Sequence, residues 1–103
     1  MRKKKLLMHD EEWCCFLCGR NGTQDPLEWH HVFGAANRKL SERYGLKVRL
    51  CKWRCHNGAD SSVHMNKEVR RDLQERAQMW FEVNYPDEDF VSLFGANYIG
   101  LSE

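Results

Sequence analysis

Hydrophobic and polar residues alternate in two short stretches of the first half of the chain. The first is residues 27–33, Leu-Glu-Trp-His-His-Val-Phe, and the second is residues 46–50, Leu-Lys-Val-Arg-Leu. A period of two places alternate side chains on one face of a β-strand, so both stretches are predicted to be strands. A strict first strand would send His30 and His31 to opposite faces, unless the strand ends there.

Two short segments show the capping residues of helices. Residues 37–45 fit two helical turns with Asn37 as the N-cap. Residues 88–94 fit another short helix, with Asp87 as its cap. A glycine closes each segment, at the position where the left-handed conformation usually stops a helix.

The longest predicted helix begins within residues 61–66 and runs to about Asn84, because apolar residues recur along one stripe. The stripe consists of Val69, Leu73, Ala77, Trp80, Phe81 and Asn84. It could serve the core or the interface of a homodimer. In chain order the elements are strand, loop, strand and helix, which predicts a small α+β fold.

Four of the five cysteines fall into two pairs, Cys15-x2-Cys18 and Cys51-x3-Cys55. Structural zinc is bound tetrahedrally by thiolates at such spacings, because one tight turn presents both sulfurs of a pair. The two pairs therefore predict a structural zinc site. Cys14 is the odd cysteine. Its adjacency to Cys15 makes it an alternative ligand, but a plain buried thiol suits it better.

Disulfides are the alternative interpretation, but they require an oxidising compartment. The first ten residues begin with basic charge and become charged again at His9 and Asp10, so the apolar core of a signal peptide is missing. No segment is long enough to cross a bilayer. We therefore expect a cytoplasmic protein with reduced thiols and no membrane partner.

The chain of 103 residues predicts a single domain, residues 1–103, of a size at which a bound metal adds welcome stability. Residues 1–13 form a mixed-charge lead-in. The zinc and histidine motifs lie within residues 14–66, and helices fill residues 67–103.

Net charge is only +1, which excludes a strongly polycationic protein, but the basic residues are concentrated. Residues 38–54 carry seven of them against one acid, Glu42. These seven are Arg38, Lys39, Arg43, Lys47, Arg49, Lys52 and Arg54. The positive field suits contacts with nucleic-acid phosphates, although an ordinary solvated surface is the alternative.

The histidines suggest chemistry beyond the zinc site. His30 and His31 are adjacent in an apolar strand, and His56 directly follows the second cysteine pair. Neutral imidazole binds metals and accepts protons near neutral pH. His64 is a further candidate ligand, with capping or packing as the alternative, and Glu28 could orient a ligating histidine or simply face solvent.

In this order the motifs resemble those of HNH nucleases of the ββα-metal (His-Me finger) superfamily, in its zinc-knuckle branch. The matching residues are Cys15, Cys18, His30, His31, Cys51, Cys55 and His56. More narrowly, most of residues 15–99 resembles small HNH-like proteins encoded by phages and prophages of bacteria. The stretches that carry this likeness are residues 28–34, 36–39, 44–46, 63–64 and 94–98, together with Cys51.

The resemblance implies a metal-dependent DNA endonuclease in the cytoplasm of a bacterial host or phage-infected cell. It makes His31 the general base and His30 and His56 the ligands of a catalytic divalent metal. His64, eight positions after His56 and near the start of the long helix, is a further candidate ligand on its position alone. Because imidazole ligands favour transition ions, we expect Mn²⁺, Ni²⁺, Co²⁺ or Zn²⁺ to bind better than Mg²⁺.

One departure from the family pattern bears on activity. Many members carry an asparagine in the run before the second cysteine pair, and here residues 46–51 contain none. Asn37, in the loop between the strands, is the candidate to take over its role of orienting the base. The alternatives are a catalytically silent HNH-like module that binds DNA or assists phage recombination, and a zinc-stabilised protein-interaction adaptor.

Overall fold

A computed structural model describes residues 7–9, 14–58, 63–64 and 66–100. It is a small α+β structure with two strands and three α-helices. The strands are β1 (Leu27–His31) and β2 (Lys47–Cys51), and the helices are α1 (Arg38–Tyr44), α2 (Lys67–Asn84) and α3 (Phe90–Phe94). A 3-10 turn (Ala35–Asn37) precedes α1, and a π-helical segment (Lys52–Gly58) follows β2. Across these residues, no helix combines the length and the apolar character that crossing a bilayer demands.

The two strands form an antiparallel pair in which His30 faces Val48 and His31 faces Lys47. Val48 is fully buried and His30 is 7% exposed, so the His30 face of the sheet packs on the core. His31 lies on the opposite face, because neighbouring side chains of a strand alternate. The predicted strand over residues 27–33 is too long, since β1 ends at His31.

Helix α1 is fastened to the ends of both strands. The buried hydroxyl of Ser41 accepts a hydrogen bond from the backbone N–H of Phe33 and donates one to its carbonyl. The N–H of Leu46 donates to the carbonyl of Ser41. Gly45 ends the helix at φ +73°, as its position in the sequence predicted. The strands and α1 therefore form one hydrogen-bonded unit.

Asn37 precedes α1, but its side chain does not cap the helix. Its amide instead donates to the carbonyl of Phe94, 2.9 Å away, and so ties the start of α1 to the end of α3. The predicted N-cap position is confirmed, but no side-chain capping bond is made there. The N–H of Arg38, the first residue of α1, donates to the carbonyl of Ala35 in the 3-10 turn instead.

Helix α2 begins where the sequence placed it. The side chain of Asn66 accepts hydrogen bonds from the N–H groups of Glu68 and Val69, and the helix runs to Asn84 as predicted. Most of the predicted stripe packs inward: Leu73, Ala77 and Phe81 are buried, while Val69, Trp80 and Asn84 are partly buried. Residues 61, 62 and 65 lie outside the described part of the chain.

Helix α3 starts later than predicted. Its N-cap is Asp89, whose carboxylate accepts the N–H of Ser92, because residues 86–88 turn before the helix begins. Asp87 is therefore not the cap. Phe90 and Phe94 of this helix are buried and stack with ring centroids 4.3 Å apart, and both rings contact Phe33 just beyond β1. This aromatic packing supports the end of β1 that carries the histidine pair.

Candidate metal centres

The four paired cysteines converge on one point. The sulfurs of Cys15, Cys18, Cys51 and Cys55 all lie within 4.8 Å of one another, and those of Cys18 and Cys51 are 3.5 Å apart. Four sulfurs around a tetrahedral zinc ion lie about 3.8 Å apart, given Zn–S bonds of about 2.3 Å. The cluster is therefore compatible with a structural metal site such as zinc.

The first cysteine pair lies in a tight knuckle. The N–H of Gly19 donates to the carbonyl of Cys15, and Gly19 takes φ +79°, which only glycine adopts without strain. The N–H of Cys18 points at the sulfur of Cys15, 3.5 Å away. Such N–H groups stabilise a thiolate, so the backbone of this turn already suits a metal ligand.

The second pair is held by β2 and by Asp25. Cys51 is the last residue of β2, and Cys55 lies in the π-helical segment. The carboxylate of Asp25 accepts the N–H groups of Trp53 and Arg54 at 3.0 and 2.9 Å. This carboxylate fixes the start of the π-helical segment, and with it the position of Cys55 relative to Cys51.

The thiols differ in acidity. Burial raises the pKa of Cys18, but hydrogen bonds from the backbone and side chain of Arg20 outweigh it and lower that pKa to about 6. Burial, together with hydrogen bonds to neighbouring thiols, raises the pKa of Cys51 to about 12 and also raises that of Cys55. Cys18 is thus the readiest thiolate, and metal binding must release protons from the buried thiols.

None of the five cysteines is bridged. Cys14 lies outside the cluster, with its sulfur 3.9 Å from Nε2 of His9. Cys14 is therefore a plain thiol, as predicted, but it is partly exposed and not buried. It is a natural control in substitution experiments.

A second group of ligand-type side chains is formed by His30, His56 and His64. One ring nitrogen of each lies within 4.8 Å of those of the other two, and Nδ1 of His30 is 3.2 Å from Nε2 of His56. Nitrogen ligands of a tetrahedral metal lie about 3.3 Å apart, given metal–nitrogen bonds of about 2.0 Å. The three histidines, here called the histidine triad, therefore fit one divalent cation, and His64 belongs with the two predicted ligands.

Glu28 orients His56. Its carboxylate accepts a hydrogen bond from Nδ1 of His56, which leaves the lone pair of that ring on Nε2, the nitrogen that faces His30. Carboxylate partners of this kind fix the tautomer of metal-binding histidines. The sequence left open whether Glu28 orients a ligating histidine or simply faces solvent. Its bond to His56 supports the first role.

The surroundings of His30 and His64 lower the pKa values of both rings. Burial, followed by the proximity of His56 and His64, lowers the pKa of His30 to about 3. Burial and the proximity of His56 and Arg70 lower the pKa of His64 as well. A histidine that resists protonation keeps its lone pair available to a metal at physiological pH.

The depressed pKa of His30 makes stability depend on pH. Between the folded value of about 3 and the ordinary 6.5, the unfolded chain takes up a proton that the folded protein does not. Stability is therefore highest above pH 6.5 and falls as pH decreases. With metal only at the cysteine site, acidification to about pH 5.5 should cost the wild type about 1 kcal/mol more than His30→Asn. Urea unfolding at both pH values checks this, and equal losses in the two proteins would contradict it.

His31 lies beside the triad but is not part of it. It lines a cavity of about 550 Å³ together with the three triad histidines. Its Nε2 donates to a carboxylate oxygen of Glu42, 3.0 Å away. Asn37, which the sequence suggested as the group that orients His31, also lines this cavity, but its amide donates to the carbonyl of Phe94.

Sequence reasoning missed several residues that line this cavity, chiefly Arg70, Gln74 and Tyr98. Arg38, which was predicted, lines it as well. Arg70 lies in the first turns of α2 and donates to the carbonyl of Val63, 3.4 Å away. The sequence marked Arg70 only as one of two adjacent basic residues, with Arg71, shortly after His64 and near the start of a predicted helix.

The other predicted basic residues divide into two groups. Lys47 and Arg49 are partly buried, and their cationic ends lie 4.7 and 4.3 Å from the ring centre of Trp29, on the His31 face of the sheet. The remaining four, Lys39, Arg43, Lys52 and Arg54, are exposed. The exposed side chains offer positive charge to solvent, whereas Lys47 and Arg49 also stabilise the sheet.

Comparison with models of known families, with curated proteins and with solved structures gives no match.

Proposed function

We propose that this protein is a metal-dependent endonuclease of the HNH type that hydrolyses DNA phosphodiester bonds within a ββα-metal fold. The observation that carries the proposal is the convergence of His30, His56 and His64 beside His31 in one cavity. A separate four-cysteine cluster can hold a structural metal, so the histidines are not needed for that site. The order of the motifs along the chain, which resembles that of HNH nucleases, supports the same conclusion.

The cavity suits an anionic substrate. A phosphodiester carries negative charge, which increases on the leaving oxygen during hydrolysis. The guanidinium-bearing side chains of Arg38 and Arg70 line the cavity and can donate to phosphate oxygens. The exposed basic residues would bind the flanking backbone, as is usual for proteins that contact nucleic-acid phosphates.

His31 is the candidate general base. A neutral imidazole that donates Nε2–H to a carboxylate carries its lone pair on Nδ1 and can accept a proton from water. The triad would hold the divalent cation, which when bound supplies positive charge to the scissile phosphate and the leaving oxygen. A one-metal hydrolytic site requires one group that accepts a proton and others that hold the cation. His31 and the triad can take these two roles.

Relaxation of supercoiled plasmid tests the proposal. The zinc-loaded protein should nick plasmid when Mn²⁺ is added, and His56→Ala should not, because that variant loses a ligand without touching the cysteine cluster. Zinc content and circular dichroism of the variant should equal those of the wild type. If the wild type nicked DNA with none of the divalent ions offered, the proposal would be contradicted.

The ligand set also predicts which metals work. Three imidazole nitrogens favour transition ions over Mg²⁺, which prefers oxygen ligands. Cleavage rates and calorimetric affinities should therefore be higher for Mn²⁺, Co²⁺, Ni²⁺ or Zn²⁺ than for Mg²⁺, by at least about tenfold in affinity. Strict dependence on Mg²⁺ would show that the triad is not the ligand set.

A catalytically silent module that binds DNA is the second candidate. The observation that favours it is that residues 46–51 lack the asparagine that many HNH nucleases carry before the second cysteine pair. Electrophoretic retention of DNA without nicking, in any divalent ion, is the result that this alternative predicts. Under either function the partner is DNA, and the unbridged thiols suit the reducing cytoplasm of a bacterial host or phage-infected cell.

A further inference from the structure

We propose that Glu42 is a positioning residue that holds His31 in the tautomer and orientation needed for proton transfer. This inference rests on the proposed function for its catalytic consequence, whereas the effect on the tautomer of His31 stands on the geometry alone. Glu42 is the single acid among the basic residues of the 38–54 segment.

The contact itself is direct. Oε1 of Glu42 lies 3.0 Å from Nε2 of His31, and the side chain of His31 is only 15% exposed. An ionised carboxylate can only accept, so Nε2 is the nitrogen that carries the proton. Nδ1 is then the basic nitrogen of the ring. A carboxylate that fixes an imidazole in this way serves the same purpose in hydrolases whose base is a histidine.

Besides His31, Lys47 binds the carboxylate, and the helix backbone beside Glu42 is anchored. Lys47 donates from Nζ to both oxygens of Glu42, each 3.0 Å away. The neighbouring Ser41 bonds to Phe33 and Leu46, so the backbone beside Glu42 is tied to both strands. Glu42 therefore reaches His31 from a rigid helix, which is what keeping an imidazole in one orientation requires.

Glu42 can take the orienting role that the missing asparagine would otherwise have. The asparagine that many HNH nucleases carry before the second cysteine pair is missing, and Asn37 is bonded elsewhere. Glu42 lies on α1, in the segment between the two strands, and reaches the base from there. The orienting group of this chain would thus come from a helix instead of from the strand that leads to the cysteines.

Nitrogen-15 NMR of the His31 ring tests the positioning role. In the zinc-loaded full chain, at a pH where the ring is neutral, the wild type should show a dominant Nε2–H tautomer. Glu42→Ala should shift the ring toward a mixture of tautomers. Glu42→Gln should retain Nε2–H, because the amide oxygen can still accept that proton. An unchanged spectrum in Glu42→Ala would overturn the proposal.

Plasmid nicking measures the catalytic consequence. Glu42→Ala should lower kcat by about 10-fold to 100-fold with KM within about twofold, and Glu42→Gln should restore most of the rate. The matched control is Glu75→Gln, which removes a surface carboxylate bonded to the N–H of Gly100 and should change neither kcat nor the His31 spectrum. A loss confined to KM, or an equal loss in Glu42→Gln, would overturn the proposal.

The two readouts separate this inference from the proposed function. If the wild type nicks no DNA, the nuclease proposal fails, and the NMR comparison alone decides whether Glu42 positions His31. If the wild type nicks DNA and Glu42→Ala does so at the same rate, the nuclease proposal stands and the role of Glu42 is refuted.

Discussion

Replacing Cys51 with serine is expected to abolish zinc binding and to unfold the protein. Cys51 is fully buried, and its sulfur lies 3.5 Å from that of Cys18 in the four-cysteine cluster. Structural zinc contributes on the order of 10 kcal/mol to folding in small domains, which matches the whole stability of many of them. We expect that the variant will show no cooperative thermal transition in circular dichroism. Metal analysis should find less than one zinc ion per chain.

Cys14→Ser is the control for this experiment, because it changes a neighbouring thiol outside the cluster. That variant should keep one tightly bound zinc ion and a melting temperature near that of the wild type. Chelation of the wild type should reproduce the unfolding caused by Cys51→Ser. A Cys51→Ser protein that retained zinc and melted normally would refute the assignment of the cysteine cluster.

Replacing His31 with alanine is expected to have the largest effect on catalysis. Loss of a general base typically lowers a rate by about 10²-fold to 10⁴-fold, so nicking should fall by that factor. His31 lies outside the triad, and the variant should therefore bind the second metal ion as the wild type does. Single-turnover nicking of plasmid and calorimetric metal titration, performed on the same preparation, measure both quantities.

His56→Ala provides the contrast, because it should lose both nicking and the second metal ion. The pair of variants distinguishes a residue that transfers a proton from one that holds a cation. If His31→Ala nicked DNA within tenfold of the wild-type rate, or if it lost the second metal ion, His31 would not be the base.

Local patterns in the sequence predicted much of the fold. Alternation identified both strands, and Asn66 and Asn84 bound the long helix as the apolar stripe indicated. The spacing of the cysteines predicted their convergence, because paired thiols within a tight turn have few other structural uses. These features depend on neighbours along the chain, which a sequence displays directly.

The parts that were not predicted depend on contacts between distant segments. Glu42 meets His31 only because Ser41 fastens α1 to the end of β1. Asn37 was suggested for that role on its position alone, yet the docking of α3 gives its amide a nearer partner in Phe94. Arg70 enters the cavity through the packing of α2, which periodicity does not specify.

The predicted N-cap of α3, Asp87, is wrong for a local reason. Both Asp87 and Asp89 can cap a helix, and they lie two residues apart. The choice of Asp89 follows from the turn at residues 86–88, in which the N–H of Glu88 donates to the carbonyl of Tyr85. Competition between equivalent caps is decided by such turns, and the residue type alone does not reveal the outcome.

The central claim is that one ion held by thiolates maintains the fold while a second ion at the histidine triad enables DNA cleavage. Cobalt titration of the zinc-loaded protein, with plasmid nicking measured on the same samples, tests it most directly. We predict that one equivalent of Co²⁺ binds without thiolate charge-transfer absorption, that nicking rises in proportion to its occupancy, and that His56→Ala shows neither. If Co²⁺ bound only at the thiolates, or if nicking did not rise with occupancy of the second site, the claim would be contradicted.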